Sequence, residues 1–257
     1  MKHTDTMISV ILPVQNASAF LRASLESILK QTHRNLEVIA IDDNSKDGSY
    51  EILKDFKKKD GRIRIFRNKK RYGLAVCFNR AMRHVQGRFV TFMSPHDVNT
   101  LYRFSRQINF LLQHPKMVGV GSQTVFVTQS DKKIGKSDFP INPRAIREKI
   151  LTGLSLQFET VLLNKYLLPK DLLHFRTNAY PFLYSEVFLK LIQYGPIANL
   201  KQYLYFHRDL TIARYRTLTG FDHHFSHIKL FVRSLASYDY RPSLRGIFAR
   251  ALINTER

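Results

Sequence analysis

The sequence predicts an α/β fold, a doubly wound and mostly parallel sheet flanked by helices, and three observations carry that prediction. ISVILPV (8–14) and LEVIAIDD (36–43) are continuous apolar runs, the pattern of strands buried on both faces. The segment between them, 17–32, repeats apolar residues at helical spacing through Phe20, Leu21, Leu25, Ile28 and Leu29, which completes a βαβ unit. A third apolar run, FVTFMS (89–94), stops at Ser94-Pro95-His96-Asp97, and strand ends of this kind are where open α/β sheets collect ligands.

The elements follow in order. After the second strand, Ser45 or Asp47 can cap a helix whose apolar face includes Ile52, Leu53 and Phe56. IRIFRN (63–68) reads as a third strand, 73–85 as a helix and 89–94 as the fourth strand. A helix over 101–115 then leads to a strand over 117–127, and the alternation becomes less regular. DKKIGKSDFPINP (131–143) is rich in turn formers and charge and reads as a loop over the site or a linker. Helices are expected over 145–153 and 185–195, and a strand over 203–209. The tail, 211–257, reads as a basic helical C-terminal extension with a break near Pro242, appended to a domain of residues 1–210.

Composition narrows the function classes. The chain of 257 residues carries 41 Lys and Arg against 20 Asp and Glu, a formal charge of +21, so its surface attracts nucleic acid, anionic lipid or phosphorylated small molecules. The single cysteine, Cys77, excludes an intrachain disulfide and a cysteine-based zinc cluster. No stretch approaches the ~20 apolar residues of a membrane span, so the expected location is cytoplasmic, with peripheral contact at the inner face of an anionic membrane through the basic tail. Nucleic acid is the weaker partner, because no recognised nucleic-acid module accompanies the charge.

Asp42 and Asp43 end the second buried strand, where a carboxylate can accept hydrogen bonds from a nucleobase N–H or a ribose hydroxyl, or can cap the next helix. Around them several pieces agree in order and spacing: Pro13 and Asn16 after the first strand, Gln31-Thr32 closing the first helix, Gly48-Ser49, then Gly73, Asn79, Ala81 and Gly87 before the fourth strand. With these residues the chain resembles the family 2 glycosyltransferases, of GT-A fold, to about residue 210. The resemblance implies a nucleotide-diphospho-sugar donor, with Pro13, Val14, Gln15, Asn16, Asp42, Asp43 and Asn79 at the nucleotide. It implies transfer of the sugar, with inversion, to a hydroxyl of a saccharide or lipid-linked acceptor in cell-envelope polysaccharide biosynthesis.

Two motifs depart from the family pattern. Its fourth strand ends in Asp-x-Asp-Asp, which holds Mg²⁺ or Mn²⁺ against the diphosphate, whereas here Ser94, His96 and Asp97 stand at the acidic positions. His96 and Asp97 are then the expected metal ligands, and an imidazole in place of a carboxylate weakens a hard cation. The family keeps its catalytic base in a Glu-Asp pair at the start of a late helix, and Leu183 and Tyr184 stand there. Glu186 lies two residues on, about 200° around a helix, and is the expected base if the helix starts differently. Glu159 and Asp171 are further carboxylates with no motif to recommend them. A nucleotide-sugar-binding protein that has lost transfer, and a basic membrane-surface or nucleic-acid binder on a borrowed fold, are the alternatives.

Overall fold

The computed structural model describes residues 6–150, 155–177 and 183–209, with Val232, Leu235, Ala236 and Tyr240 beyond them. The basic extension expected over 211–257 otherwise lies outside the described residues. Tyr240 is buried, and its hydroxyl donates to the Arg147 carbonyl at 2.6 Å.

The first half alternates as expected: β1 (Ile8–Val14), α1 (Ser18–Leu29), β2 (Leu36–Asp42), α2 (Ser49–Lys59), β3 (Ile63–Arg67), α3 (Leu74–Met82) and β4 (Phe89–Phe92). β1 and β2 are buried at every position, and successive residues serve opposite layers. Val10 and Leu12 pack with Leu21, Leu25 and Ile28 of α1 on one face, while Ile11 and Ile39 pack with Phe78 and Phe92 on the other. That period of two explains why the runs are continuously apolar, since both faces of a parallel sheet are covered.

Then come β5 (Val98–Asn99), α4 (Arg103–Gln113), β6 (Gly119–Val127), β7 (Lys133–Lys136), α5 (Pro143–Lys149), β8 (Leu162–Asn164), α6 (Leu183–Leu191) and β9 (Ile197–Arg208). The nine strands form one sheet in the order β3-β2-β1-β4-β8-β6-β9-β5, with β7 paired to β6. Only its first four strands are uniformly parallel; β8 runs antiparallel to both β4 and β6, and β5 runs antiparallel to β9. Segment 131–143 is not all loop, because β7 hydrogen-bonds along the edge of β6. Its lysines are exposed, as edge strands favour, and so give no apolar alternation to read. Among the described residues no helix is long and apolar enough to cross a membrane.

Candidate active site

The C-terminal ends of β1, β2 and β4 open onto a cavity of about 300 Å³. Two loops form its near wall, and they are stitched together by side chains that the turn residues supply. Ser45 Oγ accepts from Asn16 N, Ser49 Oγ accepts from Ala17 N, and Asn16 Oδ1 accepts from Lys46 N. Asp47 caps α2 by accepting from Ser49 N and Oγ, and it also accepts from Ser18 N at the start of α1. Partial burial pushes its carboxyl up, but these bonds outweigh it and bring the pKa down to about 2.

Of the expected nucleotide residues, Pro13, Val14, Gln15 and Asp43 line the cavity. Asp43 Oδ1 accepts from Asn68 Nδ2 at 2.7 Å and Tyr72 N at 2.9 Å, and Oδ2 accepts from Gly73 N at 2.7 Å. A carboxylate offers about four lone-pair sites, so these bonds leave Oδ2 able to accept one more. The same bonds pin the turn that carries Arg71 to the cavity wall; Gly73 sits there at φ 88°, which its missing Cβ permits. Asp42 is fully buried behind the wall, 3.1 Å from Arg67 Nε and accepting from Ser45 N. Asn16 serves the turn, and Asn79 joins α3 to the Phe175 backbone by donating to its carbonyl and accepting from its N–H. Cys77 lines the cavity as a protonated thiol, raised to about 12 by burial and then by the charge of Asp43.

The turn after β4 splits the expected metal pair. His96 lines the cavity with Ser94, its ring edge-on to Phe20 at 5.7 Å. Asp97 is 1% exposed and does not line the cavity. Its Oδ2 accepts from Tyr205 Oη at 2.7 Å and from His207 Nδ1 at 3.0 Å, and its Oδ1 accepts from Arg208 N at 2.8 Å. Among the described residues no group of three or more His, Cys, Asp or Glu could hold a metal ion. Residues 94–97 by themselves do not fit a hard divalent cation: the Asp97 carboxylate is spent on β9, and Ser94 and His96 offer the cavity a hydroxyl and an imidazole. Arg208 clamps the turn, donating to the carbonyls of His96, Thr128 and Gln129 and to Asp131.

The far wall is formed by Glu159, Tyr184, His207, Arg208 and Asp209, of which the sequence pointed to Tyr184, for its place at the family's base position, and to Glu159 only as a carboxylate with no motif. Burial pulls the His207 imidazole down, but the bond to Asp97 and the charges of Asp97, Glu159 and Asp209 outweigh it and hold the pKa at about 8. A folded pKa above the ordinary 6.5 means that the stability this pairing contributes is full below pH 6.5 and lost as pH rises through about 8. Melting temperature is therefore expected to fall across that window, and His207→Gln to flatten the fall; an unchanged profile would show that the pair contributes nothing. Glu186, the expected base, is buried 3.5 Å from Arg176 Nε and does not line the cavity. Asp171 is not on the wall either.

Comparison with known proteins follows the same outline. A family model described as "Glycosyl transferase family 2" matches residues 9–163. An uncharacterized glycosyltransferase of Haemophilus influenzae is 36% identical over 108 residues, which cover 42% of this chain and 43% of that protein, less than half its length. The Escherichia coli protein named UDP-Glc:alpha-D-GlcNAc-diphosphoundecaprenol beta-1,3-glucosyltransferase WfgD is 28% identical over 182 residues, 71% of this chain and 67% of that one. Among solved structures, Staphylococcus aureus TarS 1–349 in complex with UDP-GlcNAc superposes with a TM-score of 0.73 at 17% identity, covering 91% of this chain and 68% of that one. The mannosyltransferase PcManGT of Pyrobaculum calidifontis, in complex with GDP-Man and Mn²⁺, gives a TM-score of 0.63 at 17% identity, covering 96% and 78%. These likenesses carry the GT-A fold.

Proposed function

The chain belongs to glycosyl transferase family 2, and from that premise we propose that it moves a sugar, with inversion, from a nucleotide-diphospho donor to a hydroxyl of a saccharide or lipid-linked saccharide. The observation that supports this most directly is that one cavity is lined by Pro13, Val14, Gln15 and Asp43 together with Glu159, Tyr184 and His207. One wall carries a nucleoside-sized set of backbone and carboxylate groups, and the other carries groups able to move a proton. Transfer requires a donor held at one end of such a cavity and a proton acceptor in reach of the acceptor hydroxyl at the other.

In this reading Val14 and Gln15 lie against the base, and the remaining lone pair of Asp43 accepts a base N–H. Arg71 lines the same cavity and in this reading faces the diphosphate, while Arg208 holds the turn beside it. A divalent ion, where GT-A enzymes use one, would neutralise the leaving diphosphate; in this reading the Arg71 charge takes that task. A lipid-linked acceptor would bring the protein to the cytoplasmic face of a membrane, where a net charge of +21 favours an anionic surface. WfgD, named for transfer from UDP-Glc to a GlcNAc-diphosphoundecaprenol, and the complex of TarS with UDP-GlcNAc support a UDP-sugar donor and a lipid-linked, cell-envelope saccharide as the product class.

Calorimetric titration with UDP-glucose, UDP-GlcNAc and GDP-mannose tests the donor site. One of the three is expected to bind without Mn²⁺, and Asp43→Asn to weaken it about tenfold, the order of one charged hydrogen bond. Failure of all three to bind would overturn the reading. Binding without transfer to any acceptor would favour a nucleotide-sugar-binding protein, which Tyr184 at the family's base position also supports.

A further inference from the structure

Three carboxylates line the cavity: Asp43, Glu159 and Asp209. Asp43 belongs to the nucleotide wall and is occupied by three bonds that shape it. Asp209 leaves the end of β9 partly exposed, next to the Arg208 clamp. Glu159 differs from Asp43 in not being used to shape the nucleotide wall, and from Asp209 in being buried and fixed by its own turn. It sits in the 3₁₀ turn Phe158–Thr160, where Thr160 N and Oγ1 both donate to the Gln157 carbonyl. From below, Arg103 donates to the Glu159 carbonyl at 2.6 Å, and Gln107 Nε2 donates to the Thr160 carbonyl at 2.7 Å. From the side, Gln157 Nε2 donates to Glu159 Oε2 at 2.6 Å, which fixes the carboxylate itself.

The neighbouring residue ties Glu159 to the place where a base is wanted. Phe158 stacks on Tyr184 with ring centroids 4.3 Å apart and planes within 12°, and Phe92 and Phe175 pack against the same ring. Tyr184 stands at the start of α6, where the resemblance expects an acid, and the adjoining turn brings Glu159 to the same cavity. Glu186, the nearest acid on α6, pairs with Arg176 instead.

We propose that Glu159 is the general base of the transfer, a proposal that rests on the transferase reading above. The acceptor hydroxyl oxygen forms a bond to the anomeric carbon, and the bond from that carbon to the β-phosphate oxygen breaks. The nucleoside diphosphate leaves with the electron pair, and the hydroxyl proton passes to the Glu159 carboxylate. Burial raises the Glu159 carboxyl above the ordinary range while the charge of His207 opposes it, which makes the ionised form a stronger proton acceptor.

The test uses the full chain with UDP-glucose, UDP-GlcNAc and GDP-mannose, a synthetic GlcNAc-diphospho-lipid, and release of nucleoside diphosphate as the signal. Glu159→Gln keeps the size of the side chain and an oxygen for Gln157, so the fold is expected to hold. It is expected to lower kcat about 100-fold or more while donor Kd stays within about threefold, the pattern of a group used only in the transition state. Transfer that survives Glu159→Gln, donor affinity lost together with kcat, or a kcat loss confined to Glu186→Gln or Asp209→Asn would each overturn the proposal. No transfer by the wild type with any of the three donors removes the underlying reading, and the proposal falls with it.

Discussion

Arg103→Ala is expected to destabilise the fold by about 3–5 kcal/mol, read as a lower urea midpoint at unchanged slope. Arg103 is fully buried in the first turn of α4, and burial brings its pKa down only to about 10, so it is charged at neutral pH. Its guanidinium donates to Asn99 Oδ1, Thr91 Oγ1, Gln107 Oε1 and the Glu159 carbonyl. One side chain thus ties α4 to β4, to β5 and to the turn that carries Glu159. Truncation leaves several buried acceptors without a donor, and each carries a desolvation penalty of about 1–3 kcal/mol. A loss below about 1 kcal/mol would mean that water replaces the guanidinium, and the hub would then be dispensable.

Arg103 also shows where sequence reading stops. The strands β1 and β2, the helix between them and the family resemblance were all legible, because continuous apolar runs and helical spacing report burial directly. An Arg and a Gln at i and i+4 read as a solvated helix face, yet Arg103 and Gln107 are both fully buried. Part of what makes this burial tolerable comes from acceptors 56 and 53 positions away, the carbonyls of Glu159 and Thr160. Glu159 was visible only as a carboxylate without a motif, for a related reason: a three-residue 3₁₀ turn has no period, and its carboxylate gains meaning from Tyr184, 25 residues later. Asp43 and His96 were legible because strand ends are marked by the sequence itself. Asp97 was legible as a site residue but not as to its direction, which depends on a strand more than 100 residues away.

That direction sets the last prediction, for Asp97→Ala. If Asp97 held a metal against the donor, its removal would weaken metal-dependent donor binding and leave the apo protein as stable as before, or more so through relieved charge. The observed geometry assigns the opposite outcome. Asp97 joins the turn after β4 to three successive contacts on β9, through Tyr205 Oη, His207 Nδ1 and Arg208 N. Burial holds the Tyr205 hydroxyl well above its ordinary pKa, so it remains a donor that needs this acceptor. Asp97→Ala is therefore expected to cost about 3–5 kcal/mol in metal-free buffer, measured by urea unfolding. It also removes the main partner that holds His207 at about 8, leaving only the charges of Glu159 and Asp209, so the decline of melting temperature between pH 6.5 and 8 should shrink in the same variant. A variant of unchanged stability whose donor affinity no longer responds to Mn²⁺ would return Asp97 to the metal. The two measurements separate a carboxylate that binds a ligand from one that closes the sheet around the ligand's cavity.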